Sequence, residues 1–260
     1  MIEEVMKLFG HFMTDQGQIR STNEDAGGIF TNKKGQLLAI VADGMGGHLA
    51  GDVASELAVS FIKEAWEHED YVEEPEEAEQ WLQQTMDEVN RCIYERAIAN
   101  KEYEGMGTTV VISLCTKEFV TIAHIGDSRC YFLNKDNFHQ VTDDHSLVNE
   151  LVKTGQISET DAEKHPRKNV LLKAVGTEPE VHADIKTISW EANDRVLLCS
   201  DGLTNKINDA ELEAQLRQTE ELDEIAKEFI HLANERGGED NISLAIVQRK
   251  CTEQAGDTRC

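Results

Sequence analysis

The chain predicts an α+β protein, a four-layer αββα sandwich of two antiparallel sheets flanked by helix pairs. Three observations carry this expectation. Most strand-like segments follow one another at close spacing, the longer helical segments come in consecutive pairs, and no strand–helix alternation runs through the chain. Grouped strands and grouped helices oppose a wound parallel sheet, and each helix pair is then left with one sheet to cover.

Apolar runs or alternation mark strands at residues 11–15, 26–31, 36–42, 108–115, 119–124, 130–134 and 138–141, then at 180–188, 195–199 and 242–247. Helical periodicity holds over 50–66, where Val53, Leu57, Phe61 and Ala65 share a stripe. It returns over 79–100 with Leu82, Met86, Val89, Ile93 and Ala97, and again over 209–217 and 222–234. Residues 67–79 hold eight acidic residues and Pro75 and read as a solvated loop or a frayed helix end. Residues 250–260 lack periodicity and read as a loose C-terminal tail.

Composition narrows the function classes. The 260 residues are 40% hydrophobic and 29% charged, enough for a substantial core. The apolar runs fall far short of the roughly 20 residues of a membrane span, and residues 1–10 lack a secretory layout. A cytoplasmic protein without membrane insertion is expected. The net charge of -25 repels nucleic-acid phosphates, so no nucleic-acid partner is expected. It also repels a phosphorylated substrate unless bound cations reverse the local field. Six cysteines include no C-x-x-C pair and read as reduced thiols.

The chemistry concentrates where apolar runs meet aspartates. Three runs lead into Asp43-Gly44, Gly126-Asp127 and Ser200-Asp201-Gly202, and a fourth begins just after Asp240-Asn241. An isolated Asp-Gly is most simply a turn. Four such placements instead suggest a shared carboxylate cluster, and clustered carboxylates hold hard divalent cations. Arg20, Glu24 and Asp25 stand before a strand, either as a solvated turn or, beside such a cluster, with Arg20 gripping a phosphate bidentately.

Six segments, in order, then resemble one family: Gly17…Arg20…Asn23-Glu24-Asp25; Val41-Ala42-Asp43-Gly44-Met45-Gly46-Gly47; Gly105-Met106-Gly107-Thr108-Thr109; His124-Ile125-Gly126-Asp127-Ser128-Arg129; Cys199-Ser200-Asp201-Gly202-Leu203; and Gly238-Glu239-Asp240-Asn241-Ile242. They are similar to the metal-dependent protein serine/threonine phosphatases of type 2C, the PPM family, in its bacterial branch.

The resemblance implies a single catalytic domain over residues 1–249 with a flap subdomain at about 146–170. It implies a monomer that hydrolyses phosphoserine and phosphothreonine in proteins and opposes a cognate bacterial Ser/Thr protein kinase. Two Mn²⁺ or Mg²⁺ ions per active site, with a weaker third, are implied as cofactors, and a hydroxide held by the pair attacks phosphorus directly. By position, Asp43 bridges both ions, the Gly44 carbonyl ligates one, and Asp201 and Asp240 ligate the other. Glu24 and Asp25 act directly or through water, Asp127 serves the third ion, and Arg20 binds phosphate. Arg20 and Asp43 are thus the expected catalytic residues.

Met45 stands where animal-type members carry a histidine proposed as general acid, and a thioether donates no proton. His48 is a nearby candidate, but a histidine at a helix start is more often structural. His145 reads as a helix-entry or flap-anchoring residue. Two other functions compete with hydrolysis of phosphoproteins: a non-catalytic phosphoprotein-binding relative, which should have lost carboxylates, and a metal-dependent nuclease, which the acidic surface opposes.

Overall fold

A computed structural model describes residues 4–46, 50–162 and 164–253. One sheet runs in the order β1 (Glu4–Asp15), β11 (Ile242–Glu253), β10 (Arg195–Cys199), β7 (Arg129–Leu133) and β8 (Phe138–Gln140). The other runs β2 (Asp25–Thr31), β3 (Leu37–Met45), β5 (Val110–Cys115), β6 (Phe119–Ile125) and β9 (Asp184–Ser189), and the short β4 (Gly107–Thr108) pairs with the end of β3. Neighbouring strands are antiparallel in both sheets. Helices α1 (Ala50–His68) and α2 (Pro75–Ala99) cover the second sheet, and α6 (Asp209–Leu216) and α7 (Leu222–Glu235) cover the first. Four layers result, as expected.

Three apolar interfaces hold the layers together, and strand alternation distributes residues among them. Along β3, Leu38, Ile40 and Ala42 face the α1–α2 layer with Ile62, Leu82 and Met86, whereas Leu37, Ala39 and Val41 face the other sheet. Along β10, Leu197 and Cys199 meet Leu212 and Phe229 of the α6–α7 layer, while Val196 and Leu198 face inward. Strands covered on both faces read as unbroken apolar runs, which is why β3, β6, β10 and β11 stood out in the sequence. Burial also pushes the thiols of Cys115 and Cys199 up to about 12, so these cysteines stay protonated packing residues.

Two boundary expectations need correction. The last strand does not stop at 247: residues 250–253, expected to belong to a loose tail, continue β11 and pair with Glu4–Lys7 of β1. Backbone pairing rather than apolar patterning orders this stretch, so periodicity misses it. Residues 254–260 lie outside the described set. The acidic stretch 67–79 contains the start of α2, with Pro75 at its first turn, where a missing N–H costs nothing, and the Glu77 carboxylate accepting from Glu73 N. The loop before it is pinned, since buried Val72 exchanges two hydrogen bonds with the Gln36 side chain. The short helices α4 (Glu159–Ala162) and α5 (Asp201–Thr204) carry too few residues to show periodicity.

Register sets the position of the aspartates. Asp25 at the start of β2 pairs with Asp43 near the end of β3, and Val110 at the start of β5 pairs with Ile125 at the end of β6. Cys199 at the end of β10 pairs with Leu244 near the start of β11. Antiparallel order therefore brings three strand ends and three strand starts to one end of the sandwich.

At that end α1 crosses β3 on two glycines. A Cβ on Gly44 would lie 2.1 Å from the Gly51 carbonyl oxygen and 2.5 Å from that of Glu24. Gly44→Ala should therefore destabilise the protein by about 3 kcal/mol, read from urea unfolding. Gly51→Ala, which helix propensity alone makes stabilising by about 1 kcal/mol, should destabilise as well, because its Cβ would sit 3.0 Å from the Gly44 carbonyl.

Candidate active site

The loop of residues 16–24 lies against residues 238–241. Gly17, at φ +79°, leaves room for only a hydrogen there: a Cβ would come within 2.2 Å of the Asp240 carbonyl oxygen. Gln18 N–H donates to Gly238 O at 2.7 Å. This contact delivers Arg20, whose Nη2 donates to Asp240 Oδ2 at 2.9 Å and whose side chain is half exposed. That hydrogen bond raises the pKa of the guanidinium further, with Glu24 and Asp43 adding to it.

Asp43 lies near the end of β3, and its backbone is held on both sides. Its N–H donates to Thr109 Oγ1 at 3.0 Å, and its carbonyl accepts from Thr109 N at 2.8 Å and from the Thr108 hydroxyl at 2.9 Å. The adjoining Gly44 N–H donates to Glu24 O at 3.0 Å. Asp25 is buried and accepts from the Ser200 hydroxyl at 2.8 Å, which ties the second sheet to the residue before Asp201. Asn241 receives Glu24 N–H on its Oδ1 at 2.8 Å and donates to the carbonyls of Gln16 and Thr22. Asn205 donates to Asp201 Oδ2 at 3.0 Å and itself accepts from Lys168 Nζ at 3.1 Å. The segment 146–170 thus reaches the aspartate end of the sandwich through Lys168.

The expected carboxylates feel one another. Burial raises Asp43 well above the ordinary carboxylate range, and Asp25, Asp201, Asp127 and Asp240 add to it. Burial also lifts Asp25 to about 7 against hydrogen bonds from Ser200 and Ser243, and lifts Asp127 to about 7 with help from Asp201. Asp201 is raised by burial and by Asp240, and Glu24 by burial despite Arg20. Six carboxylates that influence one another electrostatically, offset by Arg20, Lys168 and Arg129, leave this end of the sandwich oxygen-rich and with excess negative charge. Such a set fits hard divalent cations. Met45 is half-buried at the end of β3, and His48 lies outside the described residues.

Residues 17–244 match the protein phosphatase 2C family. The chain belongs to that family. A serine/threonine phosphatase, stp, of Listeria innocua is 48% identical over 250 residues, covering 96% of this chain and 99% of that one. The solved structure of Stp1 from Staphylococcus aureus superposes with a TM-score of 0.89 at 40% identity, covering 93% of this chain and 95% of the other. PstP, solved in complex with two manganese ions, superposes with a TM-score of 0.82 at 30% identity over 95% of this chain and all of that one. The chain is therefore a metal-dependent serine/threonine protein phosphatase acting on phosphorylated proteins.

In this phosphatase several supporting residues stood inside the recognised segments without an assigned role. Ser200, Asn241, Thr108 and Thr109 are short polar side chains with hydrogen-bond partners distant in sequence, and only the fold discloses them. Asp144, which binds Arg129 through three hydrogen bonds of 2.7–3.1 Å, lay outside those segments. A second titratable group, His124, His145 and Asp184, brings one ligand-type atom from each residue within 4.8 Å of the others, beside the Asp127 turn. Among the described residues, no helix is long and apolar enough to cross a membrane.

The carboxylate cluster makes the cation-free phosphatase pH-sensitive. Asp25 and Asp127 are raised to about 7 when folded and return to about 3.9 when unfolded, so the folded state holds their protons more tightly. Their contribution is complete below about pH 4 and is lost as pH rises through about 7. In EDTA the melting temperature should fall between pH 6 and pH 8. Asp127→Asn should raise it at pH 8 by about 2–4 °C and flatten the profile, read by calorimetric scans.

Proposed function

We propose that the protein hydrolyses phosphoserine and phosphothreonine by direct attack of water at a centre of two Mn²⁺ or Mg²⁺ ions. The carrying observation is the convergence of Glu24, Asp25, Asp43, Asp127 and Asp201 beside Asp240 at one end of the sandwich, where burial and mutual repulsion hold the affinity of those five for protons high. Protons and cations compete for the same oxygens, so a site that retains protons to neutral pH without cations is one that cations relieve. That PstP holds two manganese ions supports the count.

Asp43 would be shared by the two ions, with the Gly44 carbonyl on one and Asp201 and Asp240 on the other. Glu24 and Asp25 would complete the set directly or through water, and Asp127 would take a weaker third. The pair supplies, when bound, an activated water and charge neutralisation for an in-line displacement. The chain's own residues do the rest. Arg20, half exposed beside Asp240, presents its guanidinium to the phosphate oxygens. Asn241 and Ser200 hold the strand ends at fixed spacing, and Asn205 orients Asp201. Met45 donates no proton, so a water at the centre is the better candidate to protonate the leaving oxygen than any side chain assigned above.

The catalytic unit is read as one domain that extends to the end of β11 at residue 253, with the flap at 146–170, working as a monomer in the cytoplasm. It opposes a Ser/Thr protein kinase. Lys164, His165, Arg167 and Lys168 put positive charge on the flap of a chain of net charge -25, a local attraction for phosphopeptides.

Two measurements check this reading. Turnover of p-nitrophenyl phosphate and of a phosphothreonine peptide with Mn²⁺ should vanish in EDTA and fall on the order of 10³-fold in Asp43→Ala and Asp240→Ala. Activity surviving chelation or either substitution refutes the binuclear centre. Arg167→Glu combined with Lys168→Glu should raise KM for phosphoprotein by about 10-fold while leaving the small aryl phosphate nearly unchanged. Equal effects on both substrates refute flap recruitment.

A further inference from the structure

His145 sits where three chain segments meet. Its N–H donates to Gly126 O at 2.9 Å, and its Nδ1 accepts from Gly126 N–H at 3.1 Å, a two-point clasp on the residue before Asp127. Its carbonyl accepts from Leu172 N at 2.8 Å, where the flap returns to the body. The next residue, Ser146, opens the flap as N-cap of α3 (Leu147–Lys153) and bridges to Leu171. Both ends of the flap and the Asp127 turn are therefore fastened through one residue.

The ring is fixed as well as the backbone. It stacks on the His124 ring with centroids 4.6 Å apart and planes 16° from parallel, and His124 Nε2 donates to Asp143 O at 2.9 Å. Because Nδ1 accepts from Gly126, the neutral imidazole carries its proton on Nε2. That buried atom faces Asp184 Oδ2 at 3.4 Å without forming a hydrogen bond. Burial and the neighbouring His124 lower the pKa of His145 to about 4, so the ring stays neutral and Nδ1 remains an acceptor at neutral pH. The same tautomer argues against the three residues as a metal site: Nε2 has no lone pair to offer, and Lys173 already stands 3.5 Å from Asp184.

We propose that His145 is a positioning residue that locks the flap base to the Asp127 turn, so that flap placement and cation affinity at Asp127 are set together. This rests on the reading of Asp127 as ligand of the weaker third cation. Hydrogen-bonded partners standing behind metal ligands commonly carry 10–100-fold of affinity, and this clasp acts on the backbone beside the ligand.

Two substitutions separate the hydrogen bond from the volume of the ring. His145→Leu fills the space and removes the acceptor; His145→Asn keeps an acceptor oxygen near the Nδ1 position and loses the ring. Mn²⁺ titration calorimetry on the whole protein, with Asp127→Ala as reference, reads the weak binding step apart from the two tight ones. Thermal melts confirm folding, and kinetics use phosphothreonine peptide and p-nitrophenyl phosphate. His145→Leu should weaken the weak step about 10-fold, leave the tight steps in place, and raise KM for the peptide more than for the aryl phosphate. His145→Asn should recover most of both losses.

An unchanged weak step in His145→Leu, with that step absent in Asp127→Ala, overturns the inference and leaves the Asp127 reading standing. A normal His145→Leu with a defective His145→Asn overturns it too, by showing that the ring only fills space. If Asp127→Ala itself retains the weak step, the Asp127 reading fails and the coupling falls with it.

Discussion

The cost of withdrawing crowded carboxylates from water, compounded by their mutual repulsion, is the constraint around which this sandwich is organised. Asp25, Asp43, Asp127 and Asp201 each sit where the others raise the cost of their charge, and Arg20 reaches only as far as Asp240. Nothing at the site end would hold such a group together unaided. Its rigidity comes from the three apolar interfaces behind it, and from neutral polar side chains that fasten strand ends without adding charge. Ser200 joins the two sheets at Asp25, Asn241 joins the Arg20 loop to β11, and Thr109 holds the Asp43 backbone. The preference for Ser, Thr and Asn in these places has an electrostatic logic. A lysine would neutralise the cluster and weaken its hold on cations, and a further carboxylate would deepen the repulsion.

Much of this could be read before the fold was known. The strands of both sheets, the long helices and the carboxylates were marked by apolar runs and by acidic residues beside glycines, because doubly covered strands leave continuous apolar text. Arg20 and Asp43 were expected together; strand register sets Asp43, and the loop packed on residues 238–241 carries Arg20. What escaped was of two kinds. Elements ordered by backbone pairing alone, such as residues 250–253, leave no periodic trace, and a helix as short as α5 has no room for one. Hydrogen-bonded supports escaped for a different reason: Ser200 is 175 positions from Asp25, and no local pattern records such a pairing. His145 was expected to anchor the flap, and the structure adds that its other partner is the Asp127 turn.

Charge also explains how an acidic protein handles an anionic substrate. The general surface is repulsive, so attraction must be local and borrowed, from cations at the site and from the few basic residues of the flap. Lys168 is linked through Asn205 to Asp201, which places that positive charge next to the cluster without an ion pair that would quench it.

The ladder between β1 and β11 has a polarity with respect to all this. Its twelve residue pairs run from Glu4 opposite Glu253 to Asp15 opposite Ile242, roughly 37 Å at the usual rise of an antiparallel strand. The loop that carries Arg20 hangs from the second of these ends. Thermal fraying or mechanical tension applied at Glu4 and Glu253 opens the ladder like a zipper from its remote end. It must undo pair after pair before Asp15 lets go of the neighbouring loop. A fusion tag or surface tether attached beyond those residues would load the molecule at the pole farthest from its chemistry.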